Sequence, residues 1–128
     1  MNDTSARAVM QRFGQAFFTR DAALLGQVIT PDAQWHFAIG ADAPHGRVRI
    51  GVSGFLQGIA ENEVLFEKLR FDDVACQALG SDKIVMTYVV AGQHRGGVAF
   101  TLRGVELITV ADGRVSMKDV FWKQYRET

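Results

Sequence analysis

Three ionisable side chains stand in stretches that are otherwise apolar, the setting in which a side chain can be tuned for proton transfer. His36 lies between Trp35 and Phe37 in AQWHFAIG, residues 33–40. An imidazole titrates near neutral pH, so a histidine facing a hollow would serve as general base or acid. Glu106 interrupts the apolar run VELITV, and a carboxylate there needs a partner or a proton, because burying it alone and charged is costly. Its partner depends on the Asp112-Gly113 turn. A two-residue turn pairs Ala111 with Arg114 and sets Glu106 opposite Asp119 and Arg103 opposite Trp122. Two facing carboxylates cannot comfortably both ionise, so that register makes an acid/base dyad. A turn with a glycine bulge pairs Val110 with Arg114 and sets Glu106 opposite Lys118 in an ion pair. Both registers suit Ala-Asp-Gly.

Other side chains could complete such a site. Tyr88 offers a phenol, and Arg103 could bind an anionic group or orient a carboxylate. Phe13, Trp35, Phe37 and Trp122 suit the wall of an apolar ligand site, and suit plain packing as well. His36, His45 and His94 lack metal-ligand spacing such as His-x-x-x-His, so no metal is expected. No Gly-x-Ser-x-Gly elbow or phosphate loop occurs, and no cofactor is expected. Cys76, the single cysteine, has no basic flanking residue and is expected to be buried and inert.

The elements that must hold these groups follow from periodicity. In residues 5–19, Val9, Phe13, Ala16 and Phe17 recur at helical spacing with Met10 beside them, and Thr4 or Asp3 can cap the start. Asp21 can cap a short second helix over 22–28, which stops before Thr30-Pro31 because proline disfavours helix in the residue before it. Residues 34–39 read as a strand and 40–46 as a loop. Residues 51–62 read as a third helix, weakened by Gly51, Gly54 and Gly58. Four β-rich runs follow, 67–79, 83–94, 98–111 and 114–124, with turns at Asp82, Arg95-Gly96-Gly97 and Asp112-Gly113. Helices grouped before an antiparallel meander indicate an α+β domain whose helices cover one sheet face. Between Ile84 and Ala91 both alternating faces, Ile84/Met86/Tyr88/Val90 and Val85/Thr87/Val89/Ala91, are largely apolar. Helices can cover only one, so the other is expected to meet a second copy, giving a homodimer through the sheet.

Composition bounds the partners. The 128 residues fit a single domain over 1–128. Fourteen basic residues balance fourteen acidic ones, which gives no electrostatic case for nucleic acid or an anionic membrane. No apolar run approaches the roughly 18 residues of a membrane span. Residues 1–5 lack the pattern of a signal peptide, and with one cysteine a cytoplasmic protein is expected.

The segments VMQRFGQAFFTRDAALLGQVITPDAQWH, GADAPHGRVRIGVSGF and RGVELITVADGRVSMKDVFW together resemble the SnoaL-like group of the cone-shaped NTF2-like, or cystatin-like, superfamily. The resemblance covers nearly the whole chain. It implies three N-terminal helices packed on a curved, mostly antiparallel sheet around a hollow. It does not imply one reaction, because the superfamily includes ketosteroid isomerases, polyketide cyclases, epoxide hydrolases, dehydratases and non-catalytic binding and dimerisation modules. Residues 10–40 run without a gap alongside the ketosteroid isomerase pattern. That family's oxyanion-stabilising tyrosine falls on Phe13, after Gln11-Arg12, and its general-base aspartate falls on Phe37. Neither phenylalanine can fill its role, so ketosteroid isomerase activity is not expected. The family's protonated acid in the penultimate strand falls at or near Glu106. His36 precedes the lost base by one residue. It faces away from the hollow if Phe37 faces in, unless a small bulge turns it inward. Many SnoaL-like sequences carry a Trp-His pair here, usually in a slightly shorter strand.

The expectation is a small-molecule pocket protein: a cofactor-free isomerase, cyclase, dehydratase or epoxide hydrolase moving protons on a small hydrophobic substrate. His36 or Glu106 would act as base or acid, and Asp119, Tyr88 or Arg103 would stabilise charge. The alternative is a non-catalytic ligand-binding or dimerisation module. In that case Glu106 is ion-paired, His36 faces outward, and Phe13, Phe37 and Trp122 close the hollow.

Overall fold

The computed structural model describes residues 1–124. Helix α1 (Asp3–Thr19) starts at a reciprocal cap, in which Asn2 accepts from the Ser5 amide and Ser5 accepts from the Asn2 amide. Asn2 is therefore the cap, just before the expected Asp3 or Thr4. The stripe Ala6, Met10, Phe13 and Ala16 is buried. Helix α2 (Ala22–Val28) is capped as expected, with the Asp21 side chain accepting from the Leu24 amide. Strand β1 (Ile29–His36) follows at once, so the strand expected over 34–39 begins already at Ile29, takes in Thr30-Pro31 and ends at His36. A short strand β2 (Val48–Ile50), unforeseen from sequence, precedes helix α3 (Gly51–Leu65). Strands β3 (Phe66–Leu79), β4 (Lys83–His94), β5 (Ala99–Ala111) and β6 (Arg114–Trp122) complete the chain in the expected order.

The strands form one six-stranded sheet in the order β2-β1-β6-β5-β4-β3. It is antiparallel except where β1 runs parallel to β6, and it does not close. The helices lie on one face, which makes the domain α+β. Trp35 and Phe37 stack with centroids 3.9 Å apart, and α3 sits on them through Gly58. A Cβ at Gly58 would lie 2.6 Å from the Phe37 ring, so the glycine that weakens the helix is what lets it dock. Edge strand β3 carries two bulges, and the charged residues Lys68, Arg70, Asp72 and Asp73 lie along it. Both features discourage pairing with another sheet. Among the described residues, no helix is long and apolar enough to cross a membrane.

One irregularity decides what faces the helices. Asp112 and Gly113 both have positive φ, at 53° and 74°, as a type I′ turn requires. The turn pairs Ala111 with Arg114 and Val110 with Val115, and then Thr109 pairs with Met117. Ser116 is the extra residue of a bulge, its hydroxyl donating to the Thr109 carbonyl at 3.2 Å. From there on Glu106 stands opposite Val120 and Leu107 opposite Asp119. Neither register considered from sequence is adopted. The turn is the two-residue one, and the bulge beyond it moves Asp119 to the other face and brings Lys118 in.

Candidate functional site

The helices and the inner sheet face enclose a cavity of about 960 Å³. Phe13, Phe17, Trp35, Phe37, Tyr88 and Trp122 supply much of its apolar wall. Exposed residues of α1 (Asp3, Arg7, Gln11, Phe18) and of β3 (Lys68, Val74, Gln77) also line it, so it opens to solvent between those two elements. At one end of this slit the Ala78 amide donates to Asp3 Oδ1 at 2.9 Å. Towards the other, the rings of Phe18 and Phe71 lie 6.2 Å apart.

Glu106 of β5 is 3% exposed and lines this cavity. Its Oε2 accepts from the Tyr88 hydroxyl at 2.7 Å, and its Oε1 accepts from Lys118 Nζ at 2.5 Å. Trp122 Nε1 donates to the Tyr88 oxygen at 3.1 Å. Each group comes from a fixed place in the sheet. Tyr88 is on β4, and Lys118 and Trp122 flank Val120, the cross-strand partner of Glu106 on β6. Lys118 therefore reaches Glu106 diagonally, a separation that long side chains span. Tyr88 lies over Gly104, where a Cβ would come within 2.2 Å of its ring. Only glycine leaves room for the phenol to cross β5 and meet Glu106.

The electrostatics of the cluster follow from burial. Lys118 is 6% exposed, and its ammonium stands 5.8, 5.2 and 5.4 Å from the ring centres of Phe13, Phe17 and Trp35. Aromatic faces attract a cation, and the carboxylate of Glu106 neutralises it. Burial first, and then the neighbouring Glu106 charge, push the Tyr88 hydroxyl well above its ordinary range, so it remains a proton-bearing donor at any physiological pH. Cys76 also lines the cavity and is half-buried rather than buried. Burial and Glu106 raise its thiol, and Arg7 opposes them. The expected burial is therefore not met, and Arg7 is a basic neighbour that the residues flanking Cys76 did not show.

Chemically the cluster is a neutral pair with spare capacity. Each Glu106 oxygen holds one hydrogen bond and retains a further lone-pair position. A proton taken by Glu106 would cancel its charge and leave the Lys118 ammonium free to pair with the anion just formed.

The structure brings together six of the residues singled out from sequence: Glu106, Tyr88, Phe13, Trp35, Phe37 and Trp122 all line the cavity. It separates the other three. His36 does not enter the cavity. Trp35 and Phe37 point in, so His36, between them, points out. There its Nε2 lies 2.9 Å from Gln34 Oε1 and its ring 5.0 Å from that of His45. Asp119 pairs with His36 across β1 and β6 on the same outer face, so no Glu106–Asp119 dyad exists. Arg103 is exposed on the outer face, beside Val89 and Thr101, because it is one residue from inward-facing Gly104. Lys118, which the sequence offers only as one possible partner of Glu106, enters the cavity with it. The burial of Val120 and the inward position of Trp122, two and four residues on, carry its signal. Among the described residues, no three His, Cys, Asp or Glu side chains gather in a cluster that could hold a metal ion.

Residues 10–117 match the family described as SnoaL-like domain. No curated protein matches the chain. Among solved structures, an NTF2-like protein from Burkholderia xenovorans is 17% identical, with 96% of this chain and 92% of that one covered and a TM-score of 0.79. A protein of unknown function with a cystatin-like fold from Xanthomonas campestris is 26% identical over 93% of this chain and 91% of that one, with a TM-score of 0.67. A protein provisionally named a polyketide cyclase, also from Xanthomonas campestris, is 18% identical over 94% and 92%, with a TM-score of 0.73. The architecture is shared throughout, while the side chains that do chemistry must be read in each chain separately.

Proposed function

The chain belongs to the SnoaL-like domain family, and from that premise we propose that it is a cofactor-free enzyme of the isomerase or cyclase type, moving a proton on a small hydrophobic carbonyl compound. One observation carries the reading: a buried carboxylate, hydrogen-bonded to a buried ammonium and a phenol, lines a large apolar cavity that opens to solvent. Glu106 is the base. It removes a proton from the carbon beside the substrate carbonyl, and Lys118 pairs with the resulting enolate oxygen. Tyr88, which keeps its proton, donates to Glu106 or to the substrate oxygen. The charge at the site is zero before and after transfer, so the apolar walls do not oppose the step. Return of the proton to a different carbon completes an isomerisation, whereas attack of the enolate carbon on a second carbonyl closes a ring and leaves an alkoxide, which takes the proton back from Glu106.

The experiment is a crystal structure with 2-naphthol, whose hydroxyl on a flat ring imitates an enol. The expected result is its oxygen within hydrogen-bond distance of Lys118 Nζ or Tyr88 Oη, with its rings against Phe13, Phe17 and Trp35. A cavity that excludes the compound, or a naphthol seated only outside it, overturns the reading.

A second reading, ligand binding without turnover, draws on the Glu106–Lys118 ion pair, which also serves plain charge compensation, and on His36 lying outside. Against it, Phe13, Phe37 and Trp122 do not close the cavity. The partner on the outer face is proposed to be a second copy of the chain. Val105 and Phe121, cross-strand neighbours there, are 40% and 55% exposed. Mass measurement in solution should give a dimer that Phe121→Lys converts to monomer. The proposed setting is the cytoplasm, where the lone thiol stays reduced.

A further inference from the structure

The charged groups at the cavity are mostly matched in pairs. Arg20 bonds Glu63 at 2.6 Å, Arg95 approaches Glu67 at 3.8 Å, and Lys118 bonds Glu106. Arg7 has no acidic partner within 4 Å among the described residues. Asp3, one turn earlier on α1, turns one oxygen to the Ala78 amide rather than to Arg7. Lys68 also has no acidic partner within 4 Å among the described residues, but it lies at the start of β3, past the Phe18–Phe71 contact, at the far end of the slit. Arg7 and Cys76 both line the cavity, on the facing elements α1 and β3, and the charge of Arg7 is felt at the thiol. Cys76 pairs with Met86, which pairs with Glu106. Two strand spacings, about 10 Å, therefore separate the Cys76 position at the β3 side of the mouth from the base. The wall between them is apolar.

We infer that the cavity takes a hydrophobic ligand bearing an anionic oxygen group, a carboxylate in the simplest case, which Arg7 holds at the mouth while the ligand's body reaches inward to Glu106. The inference rests on the pocket reading above and adds the ligand's charge and length. A planar guanidinium matches a carboxylate with two parallel hydrogen bonds. Gln11, one turn further along the same helix face, also lines the cavity and can donate its amide. A fused two-ring body spans most of the distance to Glu106. Arg7 is a specificity residue here and takes no part in proton transfer.

The test compares 2-naphthoate with 2-naphthamide, equal in shape and different in charge. Binding is read by calorimetry and by protection of Cys76, the single cysteine, from iodoacetamide. Protection is taken as a ratio within each variant, because Arg7 also affects the thiol. Wild type should bind the acid at least tenfold more tightly than the amide, and the preference should shrink as salt is added. Arg7→Gln should reduce the preference below twofold. Arg12→Gln, exposed and outside the cavity lining, should leave it intact. Equal affinity for the two probes, or a preference that survives Arg7→Gln, overturns the charge assignment alone. If neither probe binds at millimolar concentration, this inference and the pocket reading both fail.

Discussion

Replacing Lys118 with methionine is the sharpest perturbation of the cluster. It keeps the length and apolar stem of the side chain, so packing under Phe13, Phe17 and Trp35 is nearly conserved. It removes the charge that stands 2.5 Å from Glu106 Oε1. Glu106, 3% exposed, is left with the Tyr88 hydrogen bond alone. Removing one member of a buried pair costs about 3–5 kcal/mol, because the remaining charge is uncompensated. The cavity admits water, so the lower end of that range applies. Against a total stability of about 5–15 kcal/mol this is a large loss, visible as a fall in Tm of about 10 °C for a domain of this size. Urea denaturation of wild type, Lys118→Met, Glu106→Gln and the double variant gives the full cycle. The double variant should be more stable than the sum of the single losses by about 1–3 kcal/mol, since it removes both charges together. A Lys118→Met protein within about 1 kcal/mol of wild type, with additive losses, would refute the description of Glu106 and Lys118 as a mutually dependent buried pair.

Gly104→Ala should cost about 1–3 kcal/mol by forcing Tyr88 off Glu106, and Tyr88→Ala should remove most of that cost when the two are combined, as thermal melting would record. Tyr88 should not ionise in the folded protein in an absorbance titration at 295 nm. Its folded value is raised above the ordinary 10, so its contribution to stability is whole below about pH 10 and is lost as pH rises above that, when the unfolded chain ionises and the native one does not. Cys76 should alkylate more slowly than a free thiol near pH 8.5, and Glu106→Gln, by removing the negative charge that raises the thiol, should speed it. His36→Ala and Asp119→Asn should leave ligand affinity within about twofold of wild type, since both side chains lie across the sheet from the cavity; calorimetry with 2-naphthoate checks this.

The fold was legible because its signals are long-ranged and redundant. The α1 stripe and the four β-rich runs each stand on several residues, and the Asp21 cap and three turn signals mark their limits. The strand β2 was hidden because three residues carry no readable period. The site was half legible. Apolar walls such as Phe13 and Trp35 follow from the same periodicity as the core, and Glu106 declared itself as an acid in an apolar strand. The choice between Asp119 and Lys118 hung on a single inserted residue. Strict alternation from buried Val115 would carry 117 and 119 inward, and the bulge at Ser116 carries 118, 120 and 122 inward instead. Nothing local in Arg-Val-Ser-Met demands that bulge. Trp122 suits the cavity wall on sequence alone, and the parity it shares with Lys118 points to the lysine over the aspartate. The same parity places Gly104 inward and Arg103 out.

In the proposed reaction Glu106 takes a proton from carbon within this cavity. Deuterium uptake at the position beside the carbonyl of 2-tetralone, followed by NMR in D2O, measures that step without knowledge of the natural substrate. Wild type should accelerate exchange over buffer, and Glu106→Gln should lower the protein's contribution by about a hundredfold or more, with the variant still folded and still binding 2-naphthol. Exchange that proceeds equally in wild type and Glu106→Gln, or that never exceeds buffer in a protein that binds the ketone, would contradict it.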